Sequence, residues 1–258
     1  MHDRDQEWSA LTRFITNPAL GATLGLVYGR RRQGKTFMLA QLIAATGGFM
    51  FTGLPQTAEQ NLRDLAEAYA RHRGLGEYAF PSWRAAIDEL LRLGEGTDKP
   101  VPVVLDEFPF LLGSTPVDAL IQVALEPLAR AQRHSRTRLV LCGSALTTMR
   151  RLLGGTAPLR GRAALEMVVN PFGFREAAGF WGLAADPELA FRVHALVGGT
   201  PAYRAMCAGP PSHLAAFDDW VVDRLLNPSS AMFREGNVLL SEEPELADQR
   251  LYYSVLAA

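Results

Sequence analysis

An α/β domain with a five-stranded parallel sheet and helices on both faces, then a small all-α domain, is what this 258-residue sequence predicts. Three observations carry the prediction. Gly29-Arg30-Arg31-Arg32-Gln33-Gly34-Lys35-Thr36 has the G-x-x-x-x-G-K-[ST] spacing of a phosphate-binding loop. Five short apolar runs, starting at Leu24, Phe49, Val101, Arg138 and Leu165, alternate with segments of helical periodicity, as in a parallel sheet. Beyond Asn170-Pro171-Phe172 only helical patterns follow. That break sets domains at 1–170 and 171–258.

The loop lies between the apolar run Leu24–Tyr28 and a helical stretch beginning Phe37-Met38-Leu39, the strand–loop–helix setting the motif requires. Gly29 and Gly34 permit conformations and close approaches that a Cβ would obstruct. The backbone N–H groups from Gly29 through Phe37 then face phosphate oxygens, helped by the positive end of the following helix. Lys35 is expected to reach the β- and γ-phosphates and Thr36 to ligate Mg²⁺. Lys35 and Lys99 are the only lysines among 26 basic residues, so a chain that writes its positive charge as arginine has kept a lysine here.

The remaining elements are read in order. A helix ends at Ile15 before Asn17-Pro18, with Trp8, Leu11, Phe14 and Ile15 on one face. Helices are expected over Thr57–Arg71, with a Leu62, Leu65 and Tyr69 stripe, and over Trp83–Leu93. Val101–Leu105 then ends in Asp106-Glu107, which reads as a central buried strand whose carboxyl end opens onto a site. Asp106 is the candidate Mg²⁺ holder and Glu107 the group that orients and activates water. A helix over Val117–Arg133 leads to the strand Arg138–Cys142, whose exit places Ser144 as a candidate polar sensor. A short helix over 146–153 and the strand from Leu165 complete the α/β pattern. In the second domain, helices are expected over Phe174–Trp181, Pro187–Val197, His213–Leu226 and Glu245–Ala257, broken at Gly198-Gly199-Thr200-Pro201, Pro210-Pro211 and Asn227-Pro228. An extra strand between the loop strand and the acidic strand points to the ATPase branch of phosphate-loop proteins. No Asn-Lys-x-Asp guanine-reading motif occurs.

Bulk properties narrow the class. Apolar residues at 48% and charged residues at 21% are those of a soluble globular chain. A net charge of −1 leaves no chain-wide basic footprint for nucleic acid, although Arg30–Arg32 or Arg150-Arg151 could form a local patch. Cys142 and Cys207 lack metal-ligand spacing and read as buried free thiols in a reducing compartment. The five histidines show no ligand spacing either. There is no signal-peptide core and no apolar run of membrane-spanning length, so a cytoplasmic location and no membrane partner are expected.

Several segments together carry a resemblance: "YGRRRQGKT", "VVLDEFPFL", "LVLCGSAL", "APLRGRAALEM", "NPFGFREA", "VGGTPAY", and the opening Asp3-Arg4-Asp5-Gln6-Glu7. In this order they resemble the AAA+-related, STAND-like ATPases of prokaryotes often called the archaeal ATPase family. The resemblance spans nearly the whole chain and implies an ASCE/AAA+-like sheet followed by a helical lid. It implies that Arg4 and Glu7 lie near the nucleotide base, and that Lys35-Thr36 and Asp106-Glu107 are the Walker A and Walker B pairs. It also places Ser144 at the first sensor, Arg162 as a charge-stabilising arginine in cis or across subunits, and Pro201 against the adenine. This sequence departs from the family where Arg160 replaces a tyrosine, which leaves open whether Arg160 or Arg162 reaches phosphate. Family members commonly continue into a winged-helix domain and a nuclease-like region. This chain stops at Ala258, as a piece of a longer protein or a short form that has lost its effector.

The leading expectation is an ATPase acting as a molecular switch, with ATP and Mg²⁺ bound between the two domains and hydrolysis through Glu107. A DNA or protein partner through the absent C-terminal region, and a homo-oligomer, remain open. The alternatives are a nucleotide-binding scaffold with negligible turnover and, ranked lower, a small-molecule or nucleotide kinase.

Overall fold

The computed structural model describes residues 4–113 and 116–241; the helix expected over Glu245–Ala257 lies outside them. The described residues fall into two compact units. One comprises Arg4–Arg31 and Lys35–Val169, and the other runs from Asn170 and includes the loop residues Arg32–Gly34.

The first unit contains helix α1 (Asp5–Ile15), β1 (Thr23–Tyr28), α2 (Lys35–Thr46), β2 (Phe49–Thr52), α3 (Ala58–Arg73) and α4 (Trp83–Arg92). It continues with β3 (Val101–Asp106), α5 (Val117–Ala124), α6 (Arg130–His134), β4 (Thr137–Gly143), α7 (Leu146–Arg151) and β5 (Ala163–Val168). The five strands form one parallel sheet in the order β2-β3-β4-β1-β5. β4 therefore lies between the strand that leads into the phosphate loop and the acidic strand, so the exits of β1, β4 and β3 sit side by side.

The central strands are apolar on both faces, which is why they read as continuous runs. Leu24, Leu26, Val103, Leu105, Leu139 and Leu141 face one core cluster, which α3, α4 and α5 cover with Leu65, Ile87, Leu90 and Ile121. Val27, Val104, Val140 and Cys142 face the other, covered by Leu11, Phe14 and Ile15 of α1 and by Met38, Leu39 and Leu42 of α2. β4 also buries Arg138 completely. Its guanidinium donates to the carbonyls of Asn17, Ala19, Gly21 and Thr137, so this buried cation is satisfied by backbone acceptors.

Local signals explain the boundaries. Thr57 and Gln60 form a reciprocal capping box at the start of α3, and Gly74 ends it in the left-handed region. The single helix expected over Val117–Arg133 is instead α5 and α6. The cause lies in Glu126-Pro127, since proline lacks the N–H a helix needs and drives the residue before it out of helical geometry.

The second unit contains α8 (Phe174–Trp181), α9 (Pro187–Val197), α10 (Pro201–Met206), α11 (Phe217–Val221) and α12 (Glu235–Ser241), with no strand among its described residues. Ala177, Trp181, Leu189, Val193, Val197, Tyr203 and Trp220 form its core. The helix expected over His213–Leu226 is a composite: a 3₁₀ turn at Leu214–Ala216, α11, and a π turn at Val222–Leu226. Gly-Gly-Thr-Pro, expected only as a break, has a residue-by-residue logic. Gly198 caps α9 at φ 63°, and a Cβ at Gly199 would stand 1.9 Å from the Phe172 carbonyl oxygen. Thr200 then precedes α10, where Pro201 takes the first helical position. Within this unit Gln33 Nε2 donates to Thr200 Oγ1 at 3.1 Å, and Arg32 forms an ion pair with Glu235. Among the described residues no helix is long and apolar enough to cross a membrane.

Candidate functional site

The carboxyl ends of β1, β3 and β4 bring together residues from three distant parts of the sequence. Gly29 follows β1 directly and needs to be glycine, because a Cβ there would lie 2.2 Å from the Val169 carbonyl oxygen. Gly34 has φ +84°, and Arg32 is held at φ 66°, so two loop residues take positive φ before α2 begins.

Lys35 is the first residue of α2 and is buried. Its Nζ donates to the carbonyls of Gly29 and Arg30, each at 2.8 Å. Burial lowers the pKa of its ammonium below the usual lysine value; Cys142, Glu107 and Asp106 oppose the shift and Arg31 adds to it. Thr36 Oγ1 donates to Asp106 Oδ2 at 2.7 Å. The other Asp106 oxygen accepts the N–H of Glu107 at 3.0 Å, and its backbone carbonyl accepts the N–H of Gly53 at 2.8 Å. Asp106 is 1% exposed, so this buried carboxylate is satisfied on both oxygens.

Glu107 has φ 46° and ψ 43°, a left-handed conformation that costs a non-glycine residue about 1 kcal/mol or more. The turn aims its carboxylate at Ser144, whose Oγ lies 2.9 Å from each carboxylate oxygen. Gly143 permits this strand exit, since a Cβ there would meet Pro109 Cδ at 2.7 Å and Met149 Sδ at 2.8 Å.

The other candidate residues are placed as follows. Arg4 is buried and pairs with Glu7 at 2.8 Å. Phe37 is 62% exposed on the first turn of α2. Arg30 is exposed and Arg31 partly buried. Arg162 Nη2 pairs with Glu126 Oε1 at 2.6 Å, and Arg160 Nη1 donates to the Gly155 carbonyl at 2.6 Å. Pro201 opens α10 in the second unit.

The sequence marks Cys142 only as a buried free thiol and gives Asn61 no role. Cys142 is buried behind Asp106, and burial, reinforced by that carboxylate, raises its pKa well above the ordinary thiol value. Asn61, fully buried in α3, bonds to the loop after β2 and to the turn after Glu107. The only sequence signal for Asn61 is its spacing from Leu65 and Tyr69, which places an amide on a core-facing stripe.

No family model matches the chain, and no curated protein matches it. Solved structures do. The Walker-type ATPase PABY2304 of Pyrococcus abyssi is 19% identical, covering 93% of this chain and 73% of its own, with a TM-score of 0.59. The ORC2 protein of Aeropyrum pernix, solved in ADPNP and ADP complexes, is 16% identical over 98% of this chain and 71% of its own, with a TM-score of 0.55. The ORC1 protein of Aeropyrum pernix, solved in complex with DNA, is 16% identical over 81% of this chain and 59% of its own, with a TM-score of 0.50. At these identities the likeness is one of fold, an α/β architecture whose five-stranded parallel sheet has the order β2-β3-β4-β1-β5.

Proposed function

We propose that this chain binds ATP with Mg²⁺ and hydrolyses it slowly, using the nucleotide state as a switch. The observation that carries the reading is the direct contact of Thr36 Oγ1 with Asp106 Oδ2, flanked by Lys35 on one side and the Glu107–Ser144 pair on the other. The nucleotide complexes of the ORC2 neighbour support the choice of ligand.

The donor set fits the metal, because a hydroxyl and a carboxylate are the hard oxygen ligands Mg²⁺ takes, with water completing its shell. Thr36 and Asp106 would hold Mg²⁺, which when bound neutralises charge on the phosphate oxygens. The loop N–H groups and the start of the 12-residue helix α2 would orient the phosphates. Lys35, already desolvated, would exchange its two carbonyl partners for phosphate oxygens, where a buried cation is worth more than in water. Glu107 would accept a proton from the attacking water, and Ser144 would hold that carboxylate in place. The exposed ring of Phe37 would meet the base side of the nucleotide together with Arg4. Arg162 would stabilise developing charge after release from Glu126, with Arg160 the other candidate for that role.

The test is phosphate release at saturating ATP measured beside a binding isotherm, with Lys35→Ala and Glu107→Gln alongside the parent. Lys35→Ala should weaken ATP binding by about 100-fold, and Glu107→Gln should bind normally while releasing about 100-fold less phosphate. Tight binding without phosphate release by the parent would establish the scaffold reading instead. Repeating the release assay with duplex DNA present tests whether a nucleic acid is what the switch addresses.

A further inference from the structure

Glu107, like Arg32 in the phosphate loop, is a non-glycine residue held at positive φ, and at the end of the acidic strand something must fix that turn. The surrounding contacts trace to Asn61. Its side chain is 0% exposed on the core-facing stripe of α3 that includes Ala58, Leu65 and Tyr69. Oδ1 accepts the Leu54 N–H at 3.0 Å, and Nδ2 donates to the Leu54 carbonyl at 3.0 Å. The amide thus pairs with both backbone groups of one residue, as a neighbouring strand would. Nδ2 also donates to the Phe110 carbonyl at 3.3 Å, on the far side of the Glu107 turn.

The loop that Asn61 clamps is the one that abuts Glu107. Gly53, next to Leu54, donates its N–H to the Asp106 carbonyl. A Cβ on Gly53 would stand 3.0 Å from the Glu107 carbonyl oxygen and 2.8 Å from Leu111 Cδ2. Glu107 leads into a 3₁₀ turn (Phe108–Leu111) whose first and last residues, Phe108 and Leu111, are both fully buried. The chain on either side of Glu107 is therefore held by hydrogen bonds at Asp106 and Phe110, one from the Gly53 N–H beside Leu54 and one from Asn61 itself.

We propose that Asn61 is a positioning residue for Glu107: by tying the Gly53–Gln56 loop to the Phe110 carbonyl it holds the left-handed turn that aims the Glu107 carboxylate. The inference builds on the hydrolytic reading of Glu107 but has a readout independent of it. Asn61→Asp has nearly the same shape and keeps the acceptor for Leu54 while losing both N–H donors. Gly53→Ala leaves Asn61 intact and presses on the same turn from the other side.

Hydrogen exchange followed by mass spectrometry on the full chain should show peptides covering 107–112 exchanging at least about tenfold faster in both variants, with β1, β4 and α2 unchanged. In the parent, the 53–56 and 107–112 segments should open with the same protection. kcat for ATP should fall about tenfold or more in both variants while KM stays within about twofold, the split expected for a misaimed group rather than a lost binding contact. Parental exchange over 107–112 in a folded variant, or unequal protection of the two segments in the parent, overturns the proposal. A parent that binds but does not hydrolyse ATP, with the exchange results as expected, overturns the hydrolytic reading and leaves the positioning role standing.

Discussion

Thr36 and Asp106 stand 70 positions apart in the chain and share a 2.7 Å hydrogen bond in the fold. Parallel strand order produces the contact: β4 separates β1 from β3, and α2 starts where the β1 loop turns back over the exit of β3. A hydroxyl bonded to a buried carboxylate at a helix start, beside a desolvated lysine, is an arrangement suited to a phosphate-bound metal.

Thr36→Ala should therefore raise the Mg²⁺ concentration needed for half-maximal ATP binding by about tenfold or more, and Asp106→Asn should do the same. Calorimetric titration of ATP at stepped Mg²⁺ concentrations measures this. In excess EDTA both variants should bind ATP as weakly as the parent does, because the difference resides in the metal.

Ser144 and Glu107 should behave as one unit. Ser144→Ala is expected to lower kcat about tenfold, and adding it to Glu107→Gln should cost little more, since the bond it removes serves the same carboxylate. Single-turnover phosphate release from the parent, both singles and the double variant gives the coupling directly. Simple multiplication of the two effects would show that Ser144 acts elsewhere.

Gly29 makes a purely steric prediction. Gly29→Ala drives a methyl against the Val169 carbonyl and should destabilise the first unit by about 2 kcal/mol or more in urea unfolding. Gly76→Ala, where nothing lies within 4 Å, is the matched control and should stay within about 0.5 kcal/mol of the parent.

The two buried thiols set a pH expectation. Burial pushes Cys207 up to about 11 and holds Cys142 well above the ordinary thiol value, so the folded chain retains protons that the unfolded chain releases from 9.0 upward. The Cys207 contribution to stability is complete below that value and is lost as pH rises through about 11. Melting temperature should fall across that window in the parent and fall less in Cys207→Ala. A thiol reagent at pH 8 should find no reactive cysteine in the native chain and two after denaturation.

Much of this molecule was legible in its residues because the relevant physics is local. The strands announce themselves as short apolar runs, most clearly the buried β1, β3 and β4, and the phosphate loop is contiguous, with its glycines, lysine and threonine at set spacings. Helix starts at Thr57 and Pro187 follow from their own caps. The Pro127 interruption was equally local and could have been read from the proline alone.

What tertiary structure alone decided is which of these pieces meet. A carboxylate pair after an apolar strand is ambiguous until strand order sets Asp106 against Thr36. A Gly-Ser strand exit is ordinary until Ser144 lies 2.9 Å from Glu107. The ion pair of Arg162 with Glu126 could not be anticipated either, because it depends on how the α5–α6 break folds. Asn61 is the sharpest case. Periodicity places it on the core side of α3, yet its three backbone partners come from loops 7 and 49 residues away, whose positions no local pattern encodes. Helix and strand signals are short-range properties of the chain, whereas hydrogen bonds between loops are set only after the sheet has closed.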